Sequence, residues 1–127
     1  MQPIQLFDLA SRQAQWLAVR QNVVSGNIAN VNTPGYHAKD ITPFKAVLET
    51  TSTRMATTNP AHFSDNGIYA SEVRDAELQD STGVQESGNT VGLSEELMKS
   101  GEIKRDYELS TGLVKSFHRM MLMTLRK

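Results

Sequence analysis

Cysteine is absent from the 127 residues of the chain. The protein therefore has no disulfide, no thiol nucleophile, no zinc site built on cysteine and no iron–sulfur cluster. Long apolar runs are missing too, since no stretch comes near the roughly 18 apolar residues that a membrane-spanning helix needs. Positive charge is not in excess, because 13 Lys and Arg stand against 14 Asp and Glu. Binding to nucleic-acid phosphates is therefore not expected.

The sequence also lacks the motifs that mark enzymes. None of the metalloprotease, serine hydrolase, P-loop or dinucleotide-binding patterns occurs, and His37, His62 and His118 stand far apart with no motif around them. We therefore expect no catalytic site, no metal, no cofactor and no small-molecule substrate. The first residues carry neither the basic stretch nor the apolar run of a cleavable signal peptide, so none is expected.

Residues 1–31 are predicted to form the first of two long helices. Pro3 suits a first helical turn, where its missing N–H would have had no partner. The helix is expected to carry one stripe at alternating spacings of three and four, which keeps a single seam facing a partner helix. The stripe consists of Phe7, Ala10, Ala14, Leu17, Gln21, Val24, Ile28 and Val31.

Residues 32–93 are predicted to be irregular. Pro34 and Gly35 fit the two central positions of a type II turn, so the chain leaves the helix axis there. No window after this turn sustains a helical period. The best strand candidate is 68–73, which follows a hairpin-type turn at 65–67, and a short β-hairpin would fit there.

Residues 94–127 are predicted to form the second long helix, with Ser94 as its N-cap. One apolar stripe consists of Ile103, Tyr107, Ser110, Val114, Phe117 and Met121. A second stripe beside it consists of Leu109, Leu113, Met120 and Met123. A two-helix hairpin covers only one of these faces, so the other needs the middle segment or another protein molecule.

The predicted fold is therefore a single, mainly α domain over residues 1–127. The two terminal helices, about 44 and 50 Å long at 1.5 Å per residue, are expected to pair as an antiparallel coiled coil. The irregular central segment, with its candidate hairpin, would bridge or decorate one end.

The last fifteen residues, 113–127, carry four bases and no acid. Such a basic amphipathic helix could lie on an anionic membrane or enter the groove of a partner. Alternatively, the bases occupy the solvated side of an interface helix and complement its C-terminal dipole.

The end of the first helix and the turn after it resemble the N-terminal signature of the bacterial flagellar rod and hook proteins. The residues that carry the resemblance are Asn27, Ile28, Ala29, Asn30, Asn32, Thr33, Pro34, Gly35 and Tyr36. Residues 38–41, 58–62 and 88–91, with Glu96 and Met98 beyond them, are similar to the short proteins of the proximal rod in particular.

The resemblance implies a structural subunit that stacks helically into the hollow rod of the periplasm. It also implies export by the flagellar type III apparatus without a cleaved signal, for which Ile4, Leu6 and Phe7 would be the hydrophobic export element. The implied partners are other rod proteins, copies of the chain, a basal adaptor protein, the membrane ring and the export gate. We expect an assembly interface at Phe7, Leu17, Val24, Ile28, Leu109, Leu113, Val114, Phe117, Met120 and Met121.

Overall fold

The computed structural model describes residues 3–49, 73–75 and 84–125. Within them the elements are, in order, α1 (Pro3–Ala29), β1 (Lys39–Ile41), α2 (Phe44–Glu49), β2 (Val73–Asp75) and α3 (Leu93–Leu125). The predicted mainly α class is confirmed, and both long helices lie within a few residues of their predicted bounds.

The two long helices pack side by side. The aromatic rings of Phe7 in α1 and Phe117 in α3 lie edge to face, with their centroids 6.1 Å apart. Near the other end of α1, the side chain of Asn27 contacts that of Glu96 in the first turn of α3. Because residue numbers rise along α1 as they fall along α3, the helices run in opposite directions.

The core lies between these helices and on one flank of α1. Leu17 and Val24 belong to the predicted stripe of α1, and they are buried together with Ile103 of the first stripe of α3. Trp16 and Ile41 complete the buried cluster. The heptad-like stripe of α1 therefore faces a partner helix, as predicted, and that helix is α3 of the same chain.

The segment that follows β1 covers a second flank of α1. The indole Nε1 of Trp16 donates a hydrogen bond to the carbonyl of Thr42 at 2.9 Å, and its ring centroid lies 5.7 Å from that of Phe44. The guanidinium of Arg20 stacks over the same indole, 5.4 Å from its centroid. These contacts fix residues 42–44 against α1.

The helix α2 corrects the prediction that no helix forms between residues 32 and 93. It is only six residues long, which is too short to show a helical period in the sequence. Its first turn closes on the carbonyl of Pro43, which accepts from the N–H groups of Ala46 and Val47. Phe44 and Val47 pack against the core, and such short helices depend on tertiary packing.

The two short strands pair with each other. β1 runs antiparallel to β2, with Lys39 opposite Asp75 and Ile41 opposite Val73. The strand predicted at 68–73 shares only Val73 with β2. The rest of that strand and the turn predicted at 65–67 lie outside the described residues.

The turn after α1 has the predicted geometry. The N–H of Tyr36 donates to the carbonyl of Thr33 at 3.3 Å, which closes a four-residue turn around Pro34 and Gly35. Gly35 has φ +70°, as the third position of a type II turn requires.

The N-cap predicted for α3 is wrong by two residues. The helix begins at Leu93, and the N–H of Glu96 donates to the carbonyl of Gly92 at 3.0 Å, so Gly92 and not Ser94 takes the N-cap position. Val91 and Glu96 are buried on either side of Gly92. The packing of these two side chains determines where α3 begins, although serine is a preferred residue type at an N-cap.

Two glycines are expected to respond to alanine with opposite signs. Gly35→Ala should lower the free energy of unfolding by about 1–2 kcal/mol, because a Cβ is strained at φ +70°. Gly112→Ala in α3 should raise it by about 0.5–1 kcal/mol, because alanine is the better helix former and a Cβ there meets no heavy atom within 4 Å. Urea unfolding followed by circular dichroism measures both, and changes of the same sign would contradict the assignment of the turn.

Candidate assembly interface

The second apolar stripe of α3 is exposed. Leu109, Leu113, Met120 and Met123 are 64, 63, 49 and 62% exposed. The structure therefore bears out the prediction that a two-helix hairpin leaves this stripe uncovered. None of the described residues buries it.

Other large apolar side chains of α3 are exposed as well. They are Leu93, Leu97, Met98, Leu122 and Leu125. At about 3.6 residues per turn only Met98 lies on the same side of α3 as the stripe, so the stripe itself is the candidate interaction surface.

A shallow apolar groove joins this surface to α1. It is lined by Leu6, Leu9, Ala10, Gln13, Ser110, Leu113 and Val114. Leu113 belongs both to the exposed stripe and to the groove. The half-buried leucines of α1 and the exposed stripe of α3 therefore form one apolar face of the helix pair, which we call the apolar face.

The residues predicted as assembly interface divide into two sets. Leu17, Val24 and Ile28 belong to the core of the chain itself, and Phe7 meets Phe117 within the helix pair. Val114, Phe117 and Met121 are half-buried. The residues of the prediction that remain exposed are Leu109, Leu113 and Met120.

The residues predicted as export element lie at the start of α1. Leu6 and Phe7 are half-buried, the first in the groove and the second against Phe117. Ile4 is part of α1, and its side chain lies outside the described set.

One family-motif residue, Asn27, lies in a buried polar junction, whereas Ala29 and residues 32–35 of the motif are exposed. Asn27 is 0% exposed. Its Nδ2 donates to the carbonyl of Lys39 at 2.7 Å and to Oε2 of Glu96 at 3.0 Å. Its Oδ1 accepts from the N–H of Lys39 at 2.9 Å and lies 3.5 Å from the donating hydroxyl of Tyr36. One side chain thus holds α1, β1 and α3 together.

The carboxylate of Glu96 is 1% exposed and lies at the centre of this junction. Its Oε1 accepts from Nζ of Lys99 at 3.1 Å. The same ammonium lies 3.6 Å from Oδ2 of Asp40. A buried carboxylate is costly unless it is paired and hydrogen-bonded, and Lys99 and Asn27 meet both needs.

Asn89 holds the turn that follows α1. It is buried, and its Nδ2 shares its two N–H bonds among the carbonyls of Asn30, Val31 and Thr33, at 2.9, 3.1 and 2.8 Å. Its Oδ1 accepts from the N–H of Val91 at 2.7 Å. Because all three carbonyls lie beyond Ala29, where α1 ends, Asn89 fixes the turn and does not cap the helix.

Sequence reasoning identified the motif but not these partners. Asn89 and Glu96 entered it only as points of resemblance, and Asn27 only as a residue of the motif. The sequence did contain one signal, because the polar residue Asn27 stands beside the apolar stripe of α1. Its acceptor Glu96 lies 69 residues further along the chain, and no local pattern in the sequence connects the two.

No catalytic arrangement emerges from the described part of the chain. His37 and His118 are exposed, and His62 lies outside that part. Among the described residues no group of three His, Asp or Glu side chains could hold a metal ion. None of the helices described is long and apolar enough to cross a membrane.

Removing the amide that holds the turn after α1 should destabilise the fold. Asn89→Ala should lower the free energy of unfolding by about 1–3 kcal/mol, because the carbonyls of this turn lose their donor and the N–H of Val91 loses its acceptor. Asn32→Ala is the matched control, since Asn32 is exposed and makes no side-chain hydrogen bond within the described residues. It should change the value by less than about 0.5 kcal/mol. Equal effects in chemical denaturation would contradict the role of Asn89.

Known proteins resemble the chain along its whole length. The family described as flagella basal body rod protein matches residues 10–37, which hold most of α1 and the turn after it. The flagellar basal body rod protein FlgB of Agrobacterium fabrum (strain C58) is 60% identical over 130 aligned positions, covering 100% of this chain and 97% of that protein.

More distant relatives carry the same name. FlgB of Bacillus subtilis (strain 168) is 31% identical over 94 positions, covering 71% of this chain and 69% of that protein. FlgB of Cereibacter sphaeroides (strain ATCC 17029 / ATH 2.4.9) is 35% identical over 97 positions, covering 75% and 73%. The resemblance seen in the sequence motif is therefore confirmed. The chain belongs to the FlgB family of flagellar basal body rod proteins, and it is a structural subunit of the flagellar rod rather than an enzyme.

Proposed function

We propose that the chain polymerises helically with other rod proteins and with copies of itself, and that the apolar face of the helix pair is the contact surface. The observation that carries the proposal is the exposure of Leu109, Leu113 and Met120 on a helix whose other stripe is already occupied by α1. The assembly would be the hollow proximal part of the rod.

Burying the exposed stripe would contribute to association. Fully burying one leucine or methionine side chain contributes about 1.5–3 kcal/mol. The four side chains of the stripe are about 60% exposed, so they supply on the order of 4–7 kcal/mol before the entropic cost of association. In the single chain these side chains stay exposed, so this free energy is gained only on association.

The spacing of the stripe favours a helical partner. Leu109, Leu113, Met120 and Met123, with Ser116 between them, follow one another at alternating steps of four and three. This is the seam of a coiled coil, so a helix of a neighbouring subunit is the expected occupant. We also interpret the pairing of α1 with α3 as an antiparallel coiled coil, on the heptad-like stripe of α1.

A rod needs contacts between unlike surfaces. When a surface binds a different surface of the next subunit, the contact repeats without closing and generates a helix. The flank of α1 that includes Ser11, Ala18 and Asn22 is exposed and carries only small or polar side chains at these positions, in contrast to the apolar face. This asymmetry of the helix pair supports an open assembly.

A charge placed in the apolar face should block assembly without blocking folding. Leu113→Asp puts a carboxylate where a neighbouring helix would bury it, at a position 63% exposed in the single chain. We expect loss of swimming and no incorporation into purified basal bodies. Export of the variant and its circular dichroism should stay near wild type.

Lys115→Asp is the control for charge on the same helix. Lys115 is exposed, lies outside the stripe and forms no ion pair within the described residues, so its replacement should leave swimming largely intact. The competing hypothesis, binding of the basic helix to a membrane surface or a partner's groove, gives the reverse order. Normal rods in Leu113→Asp cells, or a stronger defect in Lys115→Asp cells, would therefore reject the proposed interface.

We also propose export through the flagellar type III apparatus without cleavage, with the start of α1 as the recognised element. The basis is the apolar run of Ile4, Leu6 and Phe7 together with the family membership. The partners at the base of the rod would be the adaptor protein, the membrane ring and the export gate.

Different substitutions should impair export and assembly independently. Leu6→Asp should lower the amount of chain in the culture supernatant of cells that secrete rod subunits, whereas Leu113→Asp should not. The secreted wild-type chain should have the mass of the uncleaved sequence. A shortened secreted chain, or undiminished secretion of the Leu6 variant, would speak against this route.

A further inference from the structure

The apolar contacts between α1 and α3 do not by themselves specify one alignment. The stripe of α1 and the first stripe of α3 repeat at heptad-like spacing, so sliding one helix by a heptad still sets apolar residues against apolar residues. Leu17 and Val24 would each find another apolar neighbour. A second kind of contact is needed to select the observed register.

The contact between Asn27 and Glu96 has the properties of such a selector. Both side chains are buried, and the amide of Asn27 uses both N–H bonds and its oxygen in the observed alignment. One heptad beyond Glu96 along α3 stands Ile103. In a slipped pair Ile103 would lie beside Asn27 and offer its amide no acceptor.

Losing this contact destabilises the slipped alignment more than forming it stabilises the observed one. A buried donor left without an acceptor disfavours a structure by roughly tenfold or more in population. The paired state gains little in return, because burying an ion pair or amide costs about as much solvation as its contacts recover. Such a pair therefore discriminates between alignments better than it stabilises any one of them.

We propose that Asn27 and Glu96 are positioning residues that set the register of α1 against α3, and with it the alignment of the apolar face. Lys99 neutralises the carboxylate, and Lys39 ties the same amide to β1. In a slipped pair, Leu6 and Leu9 would no longer lie level with Leu113 across the groove that they share.

The absence of cysteine makes the register directly measurable. Introduced cysteines at Gln21 and Ser100 report the observed alignment, because their native side chains lie 3.4 Å apart. Cysteines at Gln21 and Tyr107 report an alignment slipped by one heptad. A short bis-maleimide reagent applied to the dilute purified chain gives the yield of each intramolecular cross-link by mass spectrometry.

In the otherwise native chain the 21–100 cross-link should exceed the 21–107 cross-link by about tenfold or more. In the double variant Asn27→Leu, Glu96→Leu the ratio should fall by roughly tenfold. The midpoint of thermal unfolding should fall as well, because the N–H and carbonyl of Lys39 lose their partners. Glu96→Gln keeps an acceptor for Asn27, so it should retain the native ratio.

Val24→Ala separates register from stability. Val24 is 1% exposed and lies one turn from Asn27, so its truncation should lower the unfolding midpoint and leave the cross-link ratio unchanged. The cross-link ratio is measured on the purified chain, so its outcome is independent of assembly into a rod. An unchanged ratio in the double variant, loss of its folding, or an equal fall of the ratio in Val24→Ala would overturn the proposal.

Discussion

A single buried amide connects three parts of this chain that are far apart in sequence. Asn27, near the end of α1, binds the backbone of Lys39 through both its donor and its acceptor and binds the carboxylate of Glu96 in α3. The turn between Asn30 and Tyr36 is fixed from the other side by Asn89. The junction end of the helix pair is therefore determined by polar contacts with fixed geometry, whereas the remainder depends on apolar contacts that are less directional.

The far end of the helix pair has the opposite character. Around Leu6, Leu113 and Met120 the chain has more apolar surface than its own elements cover. Rod proteins assemble with other rod components, and the proposed interface would cover this surface. The molecule thus has a polar end, where the buried motif residue Asn27 lies, and an apolar end, where the exposed stripe lies.

The extent to which the sequence predicted this structure depends on how local each signal is. The spacing in α1 and α3 and the Pro34–Gly35 turn are local, and they were predicted within a few residues. The exposed second stripe followed from the same spacing. The helix α2, the cap at Gly92 and the roles of Asn89 and Glu96 were not predicted. Each of them depends on residues that folding brings together. Neither a six-residue helix nor a single buried carboxylate produces a periodic pattern in the sequence.

The position of the sole tryptophan has a practical consequence. Trp16 is buried, donates to Thr42, stacks near Phe44 and lies under Arg20, so its surroundings come chiefly from the segment that follows β1. Its fluorescence therefore reports chiefly the docking of residues 42–44 on α1, whereas far-ultraviolet circular dichroism follows the helix content of α1 and α3. Comparison of the two signals during unfolding would show whether the flank and the helix pair separate as one cooperative unit.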